Sequence, residues 1–376
     1  MNPVGLSLHG QIHLTLTGAS PYDVQAVMCA SGAVRDSSEE SPDVEVRFAG
    51  DTSTDVVWRH LDDAYSADGR FALRHSLFPS PVEIQLPTAP GPAPFRITYP
   101  SIARRRFPWL RSMINGKCVA KGLLGVHATA FTFEGRGYLV CGWPRGGKTG
   151  MLLAYLLHDA RYLAAEWAYV SDAGQTMHGV PESLRLRDWH LRQGGSQLQH
   201  VGMRERIRLG ARQGAATGMS RISRALETVL PRNGAPIRKL AAAVDRHRYV
   251  DRSVADWLGQ EIGPRAAPIH IIVLVGTHAG SDIRITRLNA ETAKRRLTAL
   301  QDEDWDDLTL AYRRWAYAMP DPSEWLADFE RKRRHLLDQL IVGKTIYAVD
   351  HPQEVGLAEL FHNLERSVAE QCSQSR

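Results

Sequence analysis

The chain has 376 residues, more than one ordinary domain needs, and 43% of them are apolar, enough to bury a substantial core. Lys and Arg (46) exceed Asp and Glu (41) by only five, so the overall charge does not by itself mark a polyanion-binding protein. No apolar run approaches the roughly 20 residues that span a bilayer, residues 1–5 lack the basic start of a signal peptide, and Cys29, Cys118, Cys141 and Cys372 are too sparse for a disulfide framework, so a cytoplasmic protein with no membrane partner is expected.

In chain order, GLSLHGQIHLTLTG alternates as a strand does, and SPYDVQAVMCASGAV reads as a helix opened by a serine cap. DVEVRFAG, PVEIQLP and FRITYP read as further strands, and the proline-rich LPTAPGPAPF between the last two suits an exposed connection. Together they predict a small α/β domain over residues 1–120, followed by a second domain over 121–376. GVHATAFTFEGRGYLVCG predicts a hairpin turning at residues 134–137, whose second strand leads into GWPRGGKT.

That turn satisfies G-x-x-x-x-G-K-[ST], the Walker A phosphate-binding loop, with Gly142, Gly146, Gly147, Lys148 and Thr149 at the defining positions and Arg145 inside it. Glycines let the backbone close on an anion, Lys148 can reach the β- and γ-phosphates, and the Thr149 hydroxyl suits Mg²⁺. An apolar strand precedes the loop and GMLLAYLLH, a helical run, follows it, so the turn has the setting in which backbone N–H groups and a helix N-terminus cradle phosphate. ATP or GTP with Mg²⁺ is the expected ligand. The alternative is a glycine-rich turn between two core elements. WPRG also resembles the 3′-phosphosulfate loop of sulfotransferases, but the Gly-Lys-Thr ending argues against it.

Downstream, RYLAAEWAYVS with a turn at residues 172–174, PIHIIVLVG, DIRITRLN and KTIYAVDHP read as strands, while NAETAKRRLTALQ and PSEWLADFERKRRHLLDQL read as helices. Between Arg204 and Arg252 about a dozen Lys and Arg face only Glu205, Glu227, Asp245 and Asp251, which predicts a basic helical insertion over about 195–262. It is either a solvated surface or a landing site for an acidic partner. Without a recognition-helix signature or a basic-aromatic pattern, nucleic acid is disfavoured.

The spacings around the loop resemble those of the HPr kinase/phosphorylase family, whose nucleotide-binding core is shared with phosphoenolpyruvate carboxykinases. The resemblance is good over roughly 121–185 and loose elsewhere. It places the family's histidine fifteen residues ahead of Gly142, at His127, and its two adjacent aspartates seventeen and eighteen residues past Lys148, at Ala165 and Glu166. Glu166 keeps the implied metal role, whereas Ala165 removes the aspartate that exchanges a proton with the acceptor hydroxyl. MHGVPESLRLRDWHL and PDVEVRF are similar to segments of the looser HPr-kinase-like relatives, several of which act in natural-product gene clusters.

From the residues alone, His127 could simply end a strand, Glu166 could be a strand-end carboxylate facing water, and Asp172 belongs to a turn. With the resemblance, the expected protein is an ATP- and Mg²⁺-dependent kinase, α/β in class, with a P-loop, phosphoenolpyruvate-carboxykinase-like mixed-sheet domain. His127, Glu166 and Lys148 are the expected catalytic residues, and Thr149 with Glu166 the expected metal ligands. The acceptor is a hydroxyl or related group of a peptide, protein or small molecule. Two rivals stay open: a nucleotide-binding regulatory or assembly protein that transfers nothing because position 165 is Ala, and a phosphohydrolase or phosphorylase. A homo-oligomer is compatible with either.

Overall fold

The computed structural model describes residues 2–37, 40–49, 58–67, 70–75, 78, 80–87, 89, 91–100, 107–180, 182–193, 211, 250–254, 265–318 and 324–374. The first alternating segment is two strands, β1 (Val4–Leu8) and β2 (Ile12–Thr17), because His9 and Gly10 both take left-handed backbone and close a tight turn. Helix α1 (Pro21–Ser31) begins where the serine cap predicts. The Ser20 hydroxyl accepts from Asp23 N at 3.2 Å, and the Asp23 carboxylate accepts from Ser20 N at 2.9 Å.

Strands β3 (Val34–Arg35), β4 (Val44–Ala49), β5 (Arg59–Leu61), β6 (Ala64–Ala67), β7 (Arg70–Leu73), β8 (Val82–Gln85) and β9 (Phe95–Pro100) complete a nine-stranded mixed sheet in the order β3-β1-β2-β4-β9-β8-β7-β6-β5. Its inward residues form one core with α2 (Leu110–Ala120).

The second half begins with β10 (Leu124–Val126), β11 (Ala128–Phe133) and β12 (Arg136–Cys141). β11 and β12 are the predicted hairpin, with Phe133 paired to Arg136 across a two-residue turn at Glu134 and Gly135. After the glycine-rich turn come α3 (Lys148–Leu156), β13 (Arg161–Ala164), β14 (Ala168–Ser171), a 3₁₀ turn at Asp172–Gly174, β15 (Thr176–Gly179), β16 (Leu184–Leu186) and α4 (Asp188–Gln193). The segment read as RYLAAEWAYVS therefore breaks at residues 165–167. β13 joins one sheet and β14 another, and the peptide between them is held by Glu182 Oε2, which accepts from the N–H of both Glu166 (3.0 Å) and Trp167 (2.9 Å).

Later come β17 (Val250–Arg252), β18 (Ala266–Pro268), β19 (Ile271–His278), β20 (Arg284–Arg287), α5 (Ala290–Ala318), α6 (Trp325–Ile341), β21 (Thr345–Pro352) and α7 (Leu357–Gln374). Six strands form a mixed sheet in the order β13-β11-β12-β19-β21-β20, in which β12, β19 and β21 run parallel. β12 and β19 are nearly continuous apolar runs because both faces of the sheet are covered. β10, β14, β15 and β18 make a smaller sheet, and β16 pairs with β17. The predicted basic insertion lies outside the described residues except at 211 and 250–254.

Helix α5 is longer than NAETAKRRLTALQ suggests, at 29 residues. Ala293 and Leu297 pack on the second half, whereas Trp305, Leu308, Ala311, Tyr312 and Trp315 join the core of the nine-stranded sheet. Among the described residues, no helix is long and apolar enough to cross a membrane.

Candidate functional site

The turn between β12 and α3 is shaped by close approach. A Cβ at Gly142 would stand 2.5 Å from the Val275 carbonyl oxygen of β19, and one at Gly147 would collide with the His351 ring from β21. Gly147 caps α3 with φ 103°, and Arg145 is also left-handed at φ 68°. The turn thus lies over the ends of the parallel strands with its helix N-terminus directed into a cleft, the placement that ligand sites favour in such sheets.

That cleft has a volume of about 300 Å³. Trp143, Arg145, Gly147, Lys148 and Thr149 line it from the loop, together with His127, Glu166, Arg185, Arg187, Trp189 and His190. Of the expected site residues, His127, Arg145, Gly147, Lys148, Thr149 and Glu166 all meet here, although His127 and Glu166 are 39 residues apart. Gly142 and Gly146 shape the turn without lining the cleft. Asp172 sits in its 3₁₀ turn, as its turn chemistry suggests.

Lys148 Nζ donates to the Gly142 carbonyl at 2.6 Å, and burial lowers its pKa. His127 is held from both sides: Nδ1 lies 3.1 Å from Asp304 Oδ1 on α5, and Nε2 lies 3.0 Å from Glu166 Oε2. Its ring stacks on Trp167 with centroids 5.3 Å apart and planes 13° from parallel. Burial works against charge on this imidazole, but the hydrogen bonds to Asp304 and then Glu166 outweigh it and raise the pKa above the ordinary histidine value. Both ring nitrogens thus face carboxylate oxygens. Burial pushes Glu166 upward, yet His127, Arg185 and Lys148 together hold its carboxyl below the usual range.

Behind the cleft, Glu182 fixes the Glu166 peptide and is itself paired with Arg111 of α2 at 3.0 Å. Arg111 also donates to Tyr169 Oη at 3.0 Å and lies over the Trp167 ring. Sequence reasoning assigned no role to Asp304, Glu182 or Arg111, since nothing local ties them to the loop. It assigned none to Arg185 or Arg187 either, although the alternation Leu-Arg-Leu-Arg at 184–187 puts both arginines on one face of the chain.

The residues suit a nucleotide's phosphates. Four cationic side chains, Arg145, Lys148, Arg185 and Arg187, line the cleft against Glu166, the one acidic side chain among its described lining residues. The loop's backbone is close-packed where only glycine fits. Thr149 and Glu166 face the same space and could share an ion with the phosphates, which is how Mg²⁺ is usually held. Among the described residues, no group of three or more His, Cys, Asp or Glu could hold a metal by itself. Compared with known proteins, the chain matches no family model and no curated protein.

Proposed function

We propose that the chain is an ATP- and Mg²⁺-dependent phosphotransferase of the HPr-kinase-like type, built on a phosphoenolpyruvate-carboxykinase-like P-loop core. It transfers the γ-phosphoryl group to a hydroxyl of a peptide, protein or small molecule. The observation that carries this reading is the meeting of His127 and Glu166 with the 142–149 loop in one cationic cleft. GTP in place of ATP would use the same loop.

In this reading the loop N–H groups, Lys148 and the cleft arginines hold the phosphates and position the γ-phosphorus for in-line attack. Thr149 and Glu166 would hold Mg²⁺, which would supply charge neutralisation across the phosphates. The acceptor oxygen forms the new P–O bond while the bond to the β,γ-bridging oxygen breaks, and that electron pair leaves with the nucleoside diphosphate. His127, hydrogen-bonded to Asp304 and Glu166, takes up the acceptor's proton in its neutral form and acts as a cationic donor in its protonated form. A loose transfer places little demand on an early base, so Ala165 is tolerable.

One observation favours the rival reading of a protein that holds nucleotide without transferring it. Ala165 is 7% exposed and packs with Met151 and Leu152, so no protic group stands there. Calorimetry with ATP and GTP, followed by incubation with γ-labelled ATP, separates the readings. Binding weakened in Lys148→Ala by about 1.5–3 kcal/mol, the worth of a charge-assisted contact, together with label transfer or phosphate release, is expected. Binding without any turnover would favour the rival, and no binding at all would end both.

A further inference from the structure

Resting on the phosphotransferase reading, we propose that Asp304 is the positioning residue of His127: a carboxylate from a remote helix that fixes the imidazole in a site where position 165 offers no acid. Asp304 Oδ1 lies 3.1 Å from His127 Nδ1. It is not among the residues lining the cleft, and its hydrogen bond toward the site is the one to the ring.

Its placement is built, not incidental. One helical turn earlier, Gln301 is buried, and its Nε2 donates at 3.2 Å to the carbonyl of Gly125, two residues before His127. Gln301 Oε1 in turn accepts from Trp305 Nε1 at 3.1 Å, and Trp305 is anchored in the core against Phe329. The turn carrying Asp304 is thereby fastened to the strand that delivers His127. Within the acidic run 302–307, Asp302, Glu303, Asp306 and Asp307 are exposed, and Asp304 alone turns inward. Helical spacing from Gln301 and toward Leu308 puts it on the packed face.

An acceptor fixed at Nδ1 keeps a proton on that nitrogen whether the ring is charged or neutral. Nε2 is left facing Glu166 and the cleft, the arrangement by which an aspartate sets a catalytic histidine's tautomer and orientation. Trp167 stacking limits tilt of the ring but chooses neither tautomer.

The test uses the full chain with ring-¹⁵N histidine. A slowly exchanging Nδ1–H signal, assigned by its loss in His127→Gln, is expected; Asp304→Ala should abolish it and the isosteric Asp304→Asn should shift it strongly. With Mg·ATP and water as the probe acceptor, Asp304→Asn should lower turnover by about 10²–10⁴-fold, the range for a positioned acid or base. Its ATP affinity should stay within about twofold of the wild type, as an interaction absent from substrate binding requires. A signal unmoved in both Asp304 variants overturns the proposal. So does a loss of ATP affinity matching the loss of turnover. Should the wild type neither bind nor turn over ATP, the phosphotransferase reading falls, and the Nδ1–H signal still decides whether Asp304 positions the ring.

Discussion

Gly147 shows how a single position ties the loop to the sheet beneath it. Its φ of 103° is a conformation that L side chains rarely adopt, and the His351 ring occupies the space a Cβ would need. Gly147→Ala should therefore destabilise the chain by more than about 1 kcal/mol, since strain and collision act together. Gly150, three residues on in α3, has ordinary helical backbone and only the end of the Trp189 ring 3.3 Å from a modest Cβ. Gly150→Ala should be close to neutral, because the gain in helix propensity, up to about 1 kcal/mol, offsets that contact. Urea midpoints of the two variants measure the contrast, and equal losses would refute it. The loop was legible because its chemistry is contiguous, and His127 and Glu166 were picked out only by their spacing from it. Asp304 was not, since it meets His127 across 177 residues and only the fold supplies that contact.

Element by element, the helix announced by its serine cap and the hairpin before the loop stand where expected, because short-range chemistry fixes both, whereas the first alternating segment is two strands turned at His9 and Gly10. The capping box at Ser20 and Asp23 needs four residues, and the turn at Glu134 and Gly135 needs two. The break at residues 165–167 was hidden, for it depends on Glu182 accepting two backbone N–H groups from across the fold. The length of α5 was hidden for a related reason: the acidic run 302–307 reads as a solvated end, while Trp305, Leu308, Tyr312 and Trp315 recur at helical spacing and pack into the N-terminal core. Trp305 is 2% exposed, so Trp305→Ala should cost about 3–5 kcal/mol. Hydrogen exchange should show protection falling in β4 and β9 before it falls in β19 and β21. Loss confined to the latter pair would mean that α5 belongs energetically to the other half.

For the molecule as a whole, the buried histidines set the response to acid. Burial, reinforced by His178, Arg265 and Arg111, lowers the His9 pKa to about 4; burial and Arg187 lower that of His190 to about 3. His178 and His351 shift in the same direction, chiefly through burial. A histidine whose folded pKa is depressed contributes its full stability above the unfolded value of about 6.5 and loses it as pH falls toward the folded value. His127 has the opposite sign: its raised pKa contributes below about 6.5 and is lost as pH rises through the folded value. Four depressed histidines against one raised make the fold weaken between pH 6 and pH 4, by about 1–3 kcal/mol per pH unit if two of them dominate. His190 is the sharpest probe. It is 4% exposed, and its Nδ1 accepts from Arg187 N at 3.0 Å, so protonation forfeits that bond as well as charging a buried ring. His190→Asn retains an acceptor oxygen near Nδ1 and removes the titration. Urea midpoints measured across this window should then flatten by about 1.4 kcal/mol per pH unit relative to the wild type. An unchanged slope would place the acid sensitivity on other groups, with His9 the next to be replaced.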